Sequence, residues 1–212
     1  MNKWVKAQEW EKEWWSSCSN TVWEDVKQMN LAPYLGLKIV PNAYTNYRIP
    51  LEGQSVLDIG GGPSSLLLKC ENYDGLVVDP CDYPEWVAMR YKEAGIEYLK
   101  MKGEDLDKIM QEKGYAEDFG ATEVFEEIWI YNVLQHTEDP EKVVNNAKKL
   151  GKIIRIFEWL NTPISDGHIH TLTQKNLDKW LGGEGKIEVM NTRPTIGTAL
   201  YGIFKGNEDK LC

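Results

Sequence analysis

The sequence predicts an α/β protein built around a doubly wound, mostly parallel sheet. Short apolar segments alternate with helical segments along most of the chain, and two of the apolar segments end in an acidic residue. A glycine-rich turn follows the first of these two segments. Strands that alternate with helices at this spacing pair in parallel, and the connecting helices cover both faces of the sheet.

The length and charge of the chain limit the classes of function that fit it. With 212 residues, the chain is long enough for one compact unit with a substantial core. Its formal net charge of −9 argues against a broad phosphate-binding surface. A nucleic-acid partner is therefore not expected, although a local basic patch is compatible with this charge.

Cysteine usage and hydropathy predict a soluble protein of the cytoplasm. The cysteines Cys18, Cys70, Cys81 and Cys212 lack the paired spacing of zinc sites and redox motifs. Scattered thiols of this kind suit a reducing compartment. No apolar segment approaches the length of a membrane span, and the first residues lack the apolar core of a signal peptide. No membrane partner is expected.

The first fifty residues predict an N-terminal helical cap that precedes the main domain at residues 51–212. Residues 1–30 carry tryptophans among lysines and glutamates, whereas residues 31–50 contain prolines and tyrosines typical of irregular chain or short strands. The aromatic side chains either pack on the main sheet or form a lid over a ligand pocket. Aromatic rings offer flat area and faces that attract cations. The lid candidates are Trp14, Trp15 and Tyr44.

The first apolar segment, residues 56–59, runs directly into Gly60, Gly61 and Gly62. This pattern predicts a buried strand, a tight turn and a helix that begins near Ser64. Glycine tolerates positive φ and lets a ligand approach the backbone closely. The N-terminus of a following helix favours polar or negative ligand groups. The turn is therefore predicted to bind a nucleotide-type ligand, with a ligand-free β–α turn as the alternative.

The spacing of the glycines argues against two common nucleotide motifs. A dinucleotide fingerprint that begins at Gly60 requires a third glycine at position 65, where the chain has Ser65. A Walker-type phosphate loop requires Gly-Lys-Ser/Thr at its end, and none follows. Asp58, at the end of the strand, suits a ligand that carries a cation.

The second acid-terminated strand supports a nucleotide site. Residues 76–78 form a short apolar segment that ends in Asp79 and Pro80. In a β–α–β unit, an acid at this position reaches the ribose hydroxyls of a nucleotide held at the first turn. The alternative is a turn aspartate before a proline. A third strand at residues 96–100 leads to the acidic pair Glu104 and Asp105, which either contacts a ligand or caps the next helix.

Two further strands and their connections complete the predicted sheet. Residues 127–131 form the fourth strand, and Asp139 followed by Pro140 opens a helix as its N-cap and first residue. Residues 152–157 form the fifth strand, and residues 186–190 and 199–205 form the last two.

Four segments together resemble class I S-adenosylmethionine-dependent methyltransferases, specifically a small-molecule, type-11-like branch. They read VLDIGGGPSSL, LVVDP, KGEDL and IWIYNVLQHTEDPEKV, and they span roughly residues 51–160. The resemblance implies a Rossmann-like, seven-stranded sheet of order 3-2-1-4-5-7-6 whose last strand is antiparallel. Two departures are Ser64, where the family often has glycine, and Leu150-Gly151-Lys152 in place of Pro-Gly-Gly.

The resemblance also implies the cofactor and the residues that hold it. S-adenosylmethionine would bind and would leave as S-adenosylhomocysteine. The methionine end would lie at Asp58 and the glycines, the ribose at Asp79, and the adenine at Glu104 or Asp105. The implied cofactor-binding residues are Asp58, Gly60, Gly61, Gly62, Asp79, Pro80, Glu104, Asp105, Tyr131 and Asn132.

The histidines are the candidates for catalysis. Methyl transfer needs mainly proximity and alignment, and a general base is needed only when the acceptor must lose a proton. His136, His168 and His170 all follow predicted strand ends, where ligands bind in α/β proteins. Alternatively, His136 is a capping or packing residue. No third ligand accompanies the His-x-His pair at a useful spacing, so no metal site is expected.

The resulting hypothesis is a methyltransferase that acts on an unidentified small molecule. The alternatives are a protein or RNA methyltransferase and a non-catalytic S-adenosylmethionine-binding protein. A nicotinamide-dependent oxidoreductase ranks last because of Ser65. The oligomeric state and the acceptor are not predicted by the sequence.

Overall fold

Ten strands and a set of helices form the described part of the molecule. The computed structural model describes residues 2–43, 46–108, 125–192 and 195–206. The strands are β1 (Val40–Ala43), β2 (Asn46–Pro50), β3 (Ser55–Ile59), β4 (Cys70–Glu71), β5 (Asp74–Val78), β6 (Glu97–Leu99), β7 (Phe125–Tyr131), β8 (Gly151–Leu160), β9 (Lys186–Thr192) and β10 (Thr195–Lys205). The α-helices are α1 (Lys3–Trp15), α2 (Cys18–Leu31), α3 (Glu85–Glu93), α4 (Pro140–Leu150) and α5 (Gln174–Leu181).

The central sheet has seven strands in the order β6-β5-β3-β7-β8-β10-β9. Neighbours from β6 to β8 are parallel, and β10 runs antiparallel to both β8 and β9. Numbered along the chain within this sheet, the order is 3-2-1-4-5-7-6, so the predicted topology is confirmed. The strand order reverses between β3 and β7, and ligands of open α/β sheets bind at such a point, beyond the carboxyl ends of the strands.

Alternating side chains along the strands build a core on each face of the sheet. On β3, Leu57 packs in the cluster formed with α4 and α5, whereas Val56 packs in the cluster of the opposite face with α3. On β7, Ile128 and Trp129 divide between the two faces in the same way. The alternation follows from the two-residue period of a strand. Both faces of the central strands are therefore covered, as the doubly wound prediction requires.

The predicted start of α4 is also confirmed. Asp139 is the N-cap, its carboxylate accepts a hydrogen bond from the Lys142 backbone N–H, and Pro140 is the first helical residue. This arrangement satisfies one of the free N–H groups at the helix start and fixes the segment that follows β7.

The helix predicted from Ser64 is wrong. The glycine turn is followed by a single 3₁₀ turn, Leu66–Lys69, and then by β4, which pairs in parallel with β2 beside β1 in a separate three-stranded sheet. The Ser65 hydroxyl accepts a hydrogen bond from the Leu67 N–H, and the Tyr73 hydroxyl donates to the Leu67 carbonyl. Tertiary pairing thus overrides the local helical pattern. The ligand preference expected from a helix N-terminus at this turn loses its basis.

Helix α1 lies across the carboxyl edge of the sheet. The Asn2 side chain donates to Glu138, and Lys12 lies 2.9 Å from Asp82, so the helix contacts the segments that follow β7 and β5. The Gln8 carbonyl accepts a hydrogen bond from the Cys81 thiol. In the described residues no helix is both long and apolar enough to span a membrane.

Candidate functional site

A cavity of about 1260 Å³ opens between helices α1 and α2 and the carboxyl ends of β3, β5 and β7. Pockets for drug-sized ligands occupy about 300–1,000 Å³, so this cavity has room for such a ligand and a smaller second molecule. Most of the sequence-predicted site residues line it. They are Asp58, Gly60, Gly61, Gly62, Asp79, Pro80, Glu104, Tyr131, Asn132, Trp14, Trp15, His136 and His168.

Two predicted site residues do not take part. Asp105 and His170 do not line the cavity. The Asp105 carboxylate instead lies 3.1 Å from the Lys108 ammonium, one helical turn away. His170 Nε2 donates to the Glu138 carbonyl at 3.1 Å, so its position is explained by a loop contact. Tyr44 lies outside the described residues.

The glycine loop (residues 60–62) requires glycine for two separate reasons. Gly60 and Gly62 have φ of 72° and 54°, a region that residues with a Cβ rarely adopt. A Cβ at Gly60 would also lie 2.0 Å from Cγ2 of Val133, and one at Gly61 would lie 2.7 Å from Oδ2 of Asp58. Space therefore restricts Gly60 and Gly61, and the positive φ restricts Gly60 and Gly62.

Asp58 is a buried carboxyl at the floor of the cavity, with 4% of its surface exposed. Its Oδ2 accepts a hydrogen bond of 2.5 Å from the Ser65 hydroxyl. Burial raises the pKa of Asp58 to about 7, the Ser65 hydrogen bond opposes this shift, and the negative charge of Asp79 adds to it. A carboxyl with this pKa gains from a nearby positive charge, because a cation favours the ionised form.

Asp79 clamps the loop from the end of β5. Its Oδ2 accepts from the Gly62 N–H at 3.1 Å, and its Oδ1 accepts from the Cys81 N–H at 2.9 Å. Burial raises the pKa of Asp79 to about 6, and these backbone hydrogen bonds limit the rise. The Tyr83 hydroxyl also donates to Oδ2 at 3.4 Å, a weak contact that ligand hydroxyls can displace. A carboxylate offers about four acceptor positions, so Asp79 keeps capacity for ligand hydroxyls.

Two residues of α3 that the sequence did not single out hold the loop in place. The Tyr91 hydroxyl donates to the Gly62 carbonyl at 2.5 Å, and Arg90 donates to the Pro63 carbonyl at 2.7 Å. Arg90 also contacts the Asp25 carboxylate of α2 at 3.2 Å. Nothing in the helical pattern of α3 distinguishes these side chains from ordinary packing and surface residues.

Of the two acids in the turn after β6, Glu104 lines the cavity and Asp105 does not. The Glu104 side chain is buried, and its Oε1 accepts a hydrogen bond from the Asp139 N–H at 3.0 Å. The Asn146 amide donates to the Gly103 and Glu104 carbonyls from α4. The start of α4 therefore fixes the position of Glu104, which leaves its second carboxylate oxygen for a ligand.

Several buried polar atoms of the cavity wall have no hydrogen-bond partner among the described residues. Two of them are the hydroxyl of Tyr131, at the end of β7, and Oε1 of Gln135. Asn132, between them, has a φ of 53°, and its Oδ1 accepts from the Gln135 amide at 3.0 Å. A buried unpaired polar atom costs about 1–3 kcal/mol, so atoms that face a cavity indicate polar ligand groups.

His136 contacts a carboxylate of α1. Its Nδ1 donates to the Gly167 carbonyl at 2.9 Å and lies 3.0 Å from the Glu11 carboxylate. Burial alone lowers the pKa of His136, but Glu11 outweighs it and holds this pKa above its ordinary value. Burial likewise raises the pKa of Glu11, and the charge and hydrogen bond of His136 bring it below its ordinary value.

His168 is the second histidine of the cavity. Its ring packs edge-on against the His136 ring, with 4.8 Å between centroids. Burial, and after it the charge of His136, lowers the pKa of His168 to about 4. His168 is therefore neutral at physiological pH and a weak proton acceptor. The structure brings two of the three predicted histidines together, with distinct protonation behaviour.

Tryptophans of α1 and α2 form the wall opposite the sheet. Trp10 and Trp14 stack with 5.5 Å between centroids, and the Trp15 indole N–H donates to Glu11 Oε2 at 2.8 Å. Trp4 and Trp23 also line the cavity. The sequence indicated an aromatic wall, but it did not mark Glu11, which looks like any surface acid of a charged helix.

The comparisons with known proteins concern structure alone. No protein-family model matches the sequence, and no curated protein matches it. The plantazolicin methyltransferase BamL, solved in complex with a triazolic desmethylPZN analog and SAH, matches over 97% of both chains at 14% identity and a TM-score of 0.57. A Thermotoga maritima SAM-dependent methyltransferase, described as a possible histamine N-methyltransferase, matches over 97% of this chain and 100% of its own, at 14% identity and 0.56.

A third solved structure is a Burkholderia thailandensis toxoflavin-type N1-methyltransferase with bound 1,6-didemethyltoxoflavin and S-adenosylhomocysteine. It covers 74% of this chain and 72% of its own at 12% identity, with a TM-score of 0.51. At such identities the likeness shows the fold. The predicted resemblance is confirmed at that level: the chain has the fold of class I S-adenosylmethionine-dependent methyltransferases.

Proposed function

We propose that the protein is an S-adenosylmethionine-dependent methyltransferase that acts on a small molecule. The observation that carries this proposal is the pair of buried carboxyls, Asp58 and Asp79, on either side of the glycine loop at neighbouring strand ends of one cavity. Both have raised pKa values because of burial, and a cationic ligand with hydroxyl groups would stabilise their ionised forms.

The residues present fit the cofactor at each of its parts. Asp58 would face the positively charged methionine end, Asp79 would accept from the ribose hydroxyls, and Glu104 would accept from the adenine amine. Tyr131 and Asn132 would lie near the amino group or the methyl. When bound, the cofactor supplies a methyl group already activated by its sulfonium. The protein then needs chiefly to align the acceptor and exclude water.

The helices of residues 1–50 would serve as the lid of the acceptor side. Tryptophans from both helices line the same cavity as the glycine loop. Two of the similar solved structures hold an organic molecule together with S-adenosylhomocysteine, which supports a small organic molecule as the acceptor. The net charge of −9 supports a non-nucleic-acid acceptor.

Calorimetry with S-adenosylmethionine, S-adenosylhomocysteine and NAD tests the cofactor assignment. We expect both sulfur ligands to bind and NAD not to bind. Binding of NAD alone would overturn the proposal. A screen of labelled-methyl transfer to metabolite extracts of the source organism then tests turnover, and binding without transfer to any metabolite would indicate a non-catalytic binding protein.

We also propose a cytoplasmic location. The thiols of Cys70 and Cys81 are free, and Cys81 is buried beside α1. Burial raises the pKa of Cys81 to about 12, which keeps it a thiol. Fractionation of the source cells, with the protein detected by antibody, tests this location, and recovery in a membrane fraction would contradict it.

A further inference from the structure

We propose that Glu11 and His136 form a proton-accepting dyad, and that the methyl acceptor is a flat, uncharged molecule with an acidic O–H, S–H or ring N–H. In this proposal His136 takes the proton of the acceptor, and Glu11 acts as its positioning residue. The inference rests on the proposed methyltransferase function and specifies the acceptor class and proton path of the same cavity.

The hydrogen bonds of His136 assign its tautomer. Nδ1 faces the Glu11 carboxylate at 3.0 Å and the Gly167 carbonyl at 2.9 Å, and both of these groups can only accept a hydrogen bond. The proton of the neutral imidazole therefore resides on Nδ1. Nε2 keeps its lone pair, which accepts a long hydrogen bond of 3.4 Å from the Gln135 amide. His136 lines the cavity, and in this proposal the acceptor group displaces this weak contact from Nε2.

Glu11 is itself held in a fixed position. Its Oε2 accepts from the Trp15 indole N–H at 2.8 Å, while its Oε1 faces His136. A carboxylate oriented in this way fixes the imidazole ring and stabilises the imidazolium that proton uptake produces. The dyad thus joins α1 to the segment that follows β7.

Two other titratable groups near His136, Glu158 and His168, affect its protonation in opposite directions. Glu158, on β8, is buried, with its Oε1 accepting from the Val133 and Leu134 N–H groups, and its charge raises the pKa of His136. His168, in the loop after β8, would oppose protonation of His136 if it were charged. Burial lowers the pKa of His168 to about 4, so it is neutral when His136 works.

The paired charges and the aromatic wall define the acceptor class. Glu11 is paired with His136, and Lys27, the one lysine among the described lining residues, lies 2.6 Å from Glu24. With Lys27 paired, no lysine among the described lining residues is free to hold an anionic acceptor, and the Glu11 carboxylate beside the neutral imidazole disfavours one. The tryptophans Trp10 and Trp14 add flat apolar area, which favours a flat, uncharged ring.

The proton balance of the step is simple. The O, S or N atom of the acceptor attacks the methyl carbon, the methyl–sulfur bond breaks, and its electron pair stays on sulfur. The acceptor proton passes to His136 Nε2, which leaves an imidazolium paired with Glu11. The products are the methylated acceptor and S-adenosylhomocysteine, and the imidazolium returns its proton to solvent.

The test compares wild type with Glu11→Gln and His136→Gln, with Glu9→Gln on an exposed part of the same helix as the control. Transfer of radiolabelled methyl is measured to phenol and thiophenol, which lose a proton on methylation, and to pyridine, which does not. General-base catalysis contributes about 10²–10⁴-fold. We expect both dyad variants to lower kcat for phenol and thiophenol at least about 30-fold, with pyridine transfer and cofactor affinity changed less than about 2-fold.

A second readout separates positioning from mere structure. In wild type, isotope-labelled histidine should show His136 as the Nδ1–H tautomer by NMR, with a pKa above the ordinary value. Glu11→Gln should lower that pKa and move the acid limb of the kcat–pH profile for phenol to lower pH by the same amount. Glu9→Gln should change neither.

Four outcomes would overturn the dyad while leaving the methyltransferase proposal intact, provided that S-adenosylmethionine binds. They are an Nε2–H tautomer, a His136 pKa unmoved by Glu11→Gln, equal losses for phenol and pyridine, and no transfer to phenol or thiophenol at all. Failure of S-adenosylmethionine to bind the wild-type protein would instead overturn the proposed function itself.

Discussion

The two sides of the cavity are built in different ways. On the side of the sheet, Asp58, Asp79 and Glu104 project from strand ends or the turn beside them, and each is less than 8% exposed. On the side of the proposed lid, Trp10 and Trp14 are 37% and 49% exposed on α1, which crosses the sheet edge. The core fixes the positions of the acids on the sheet side, whereas the positions of the tryptophans depend on how α1 packs.

The contacts that seat α1 are few and mostly exposed. Lys12 pairs with Asp82 at the surface, where solvent screens the ion pair and makes it weak. The Glu11–His136 pair, whose side chains are 13% and 15% exposed, and the hydrogen bond from the Cys81 thiol to the Gln8 carbonyl are less exposed contacts. Substitutions on the sheet side should therefore change cofactor binding and stability, whereas substitutions on the lid side should change binding of the acceptor.

The largest effect should come from Gly60→Ala. Its Cβ would lie 2.0 Å from Val133 Cγ2 at a φ of 72°. We expect S-adenosylmethionine binding, measured by calorimetry, to weaken at least about 100-fold, because the loop must move. Gly95→Ala is the matched control, since Gly95 has the same φ and nothing within 4 Å. It should cost about 1 kcal/mol of unfolding free energy and leave binding intact. Equal losses in both variants would show that backbone strain alone is responsible.

Asp79→Asn should have the next largest effect. The amide cannot accept at both positions, so the hydrogen bonds to Gly62 and Cys81 and the proposed contacts to the ribose hydroxyls cannot all form. Hydrogen bonds to charged groups are worth about 1.5–3 kcal/mol, which corresponds to about 10–100-fold weaker S-adenosylmethionine binding. Asp82→Asn, on the exposed carboxylate that pairs with Lys12, should leave the affinity within about 2-fold. Unchanged affinity in Asp79→Asn would remove the ribose assignment.

The pH dependence of stability should distinguish the buried acids. Burial raises the pKa of Asp58 and Glu158 to about 7 and of Asp79 to about 6, above their unfolded values near 4. The folded state therefore binds more protons between about pH 4 and 7, and the free energy of unfolding falls as pH rises through this window. His168, whose pKa is lowered, acts in the opposite direction below about pH 6.5.

Urea denaturation of the cofactor-free protein checks this expectation. From pH 5 to pH 7.5 we expect the free energy of unfolding to fall by an amount on the order of a few kcal/mol. Asp58→Asn should flatten the profile, and saturating S-adenosylmethionine should reduce the fall. A stability that rises steadily over this range would contradict the assigned burial effects.

The smallest effect should come from Trp14→Ala on the lid side. Loss of a stacked aromatic pair is worth about 0.5–1.5 kcal/mol, so KM for the acceptor should rise about 3–10-fold while cofactor affinity stays within about 2-fold. Val22→Ala, an exposed α2 residue outside the cavity wall, is the control. A larger loss of cofactor affinity than of acceptor affinity would show that the two sides are not independent.

The sheet side could be predicted from the sequence because its signals are local. The order of strands, the acids at their ends and the glycines all follow from short patterns with a direct physical cause. The helix after Ser64 was mispredicted because Leu66, Leu67 and Leu68 fit a helix, whereas the pairing of β4 with β2 is a long-range contact.

The lid side could not be predicted to the same depth. Glu11 becomes distinctive only when α1 is docked against His136, and the sequence separates these two residues by most of the chain. Asp105 and His170 carried the right chemistry and a suitable place in the sequence, yet a local ion pair and a loop hydrogen bond turn them away from the cavity. Side-chain direction at such positions is set by tertiary packing.

Gly167 gives the dyad one further property. Its carbonyl accepts from His136, while a Cβ at this position would lie 2.7 Å from the Trp10 ring and 3.3 Å from Glu11 Oε1. Helix α1 thus packs directly against the backbone at Gly167. Any displacement of α1 that opens the cavity also moves the Glu11 carboxylate away from the imidazole of His136. The same movement of α1 therefore changes both the enclosure of the reactants and the basicity of His136.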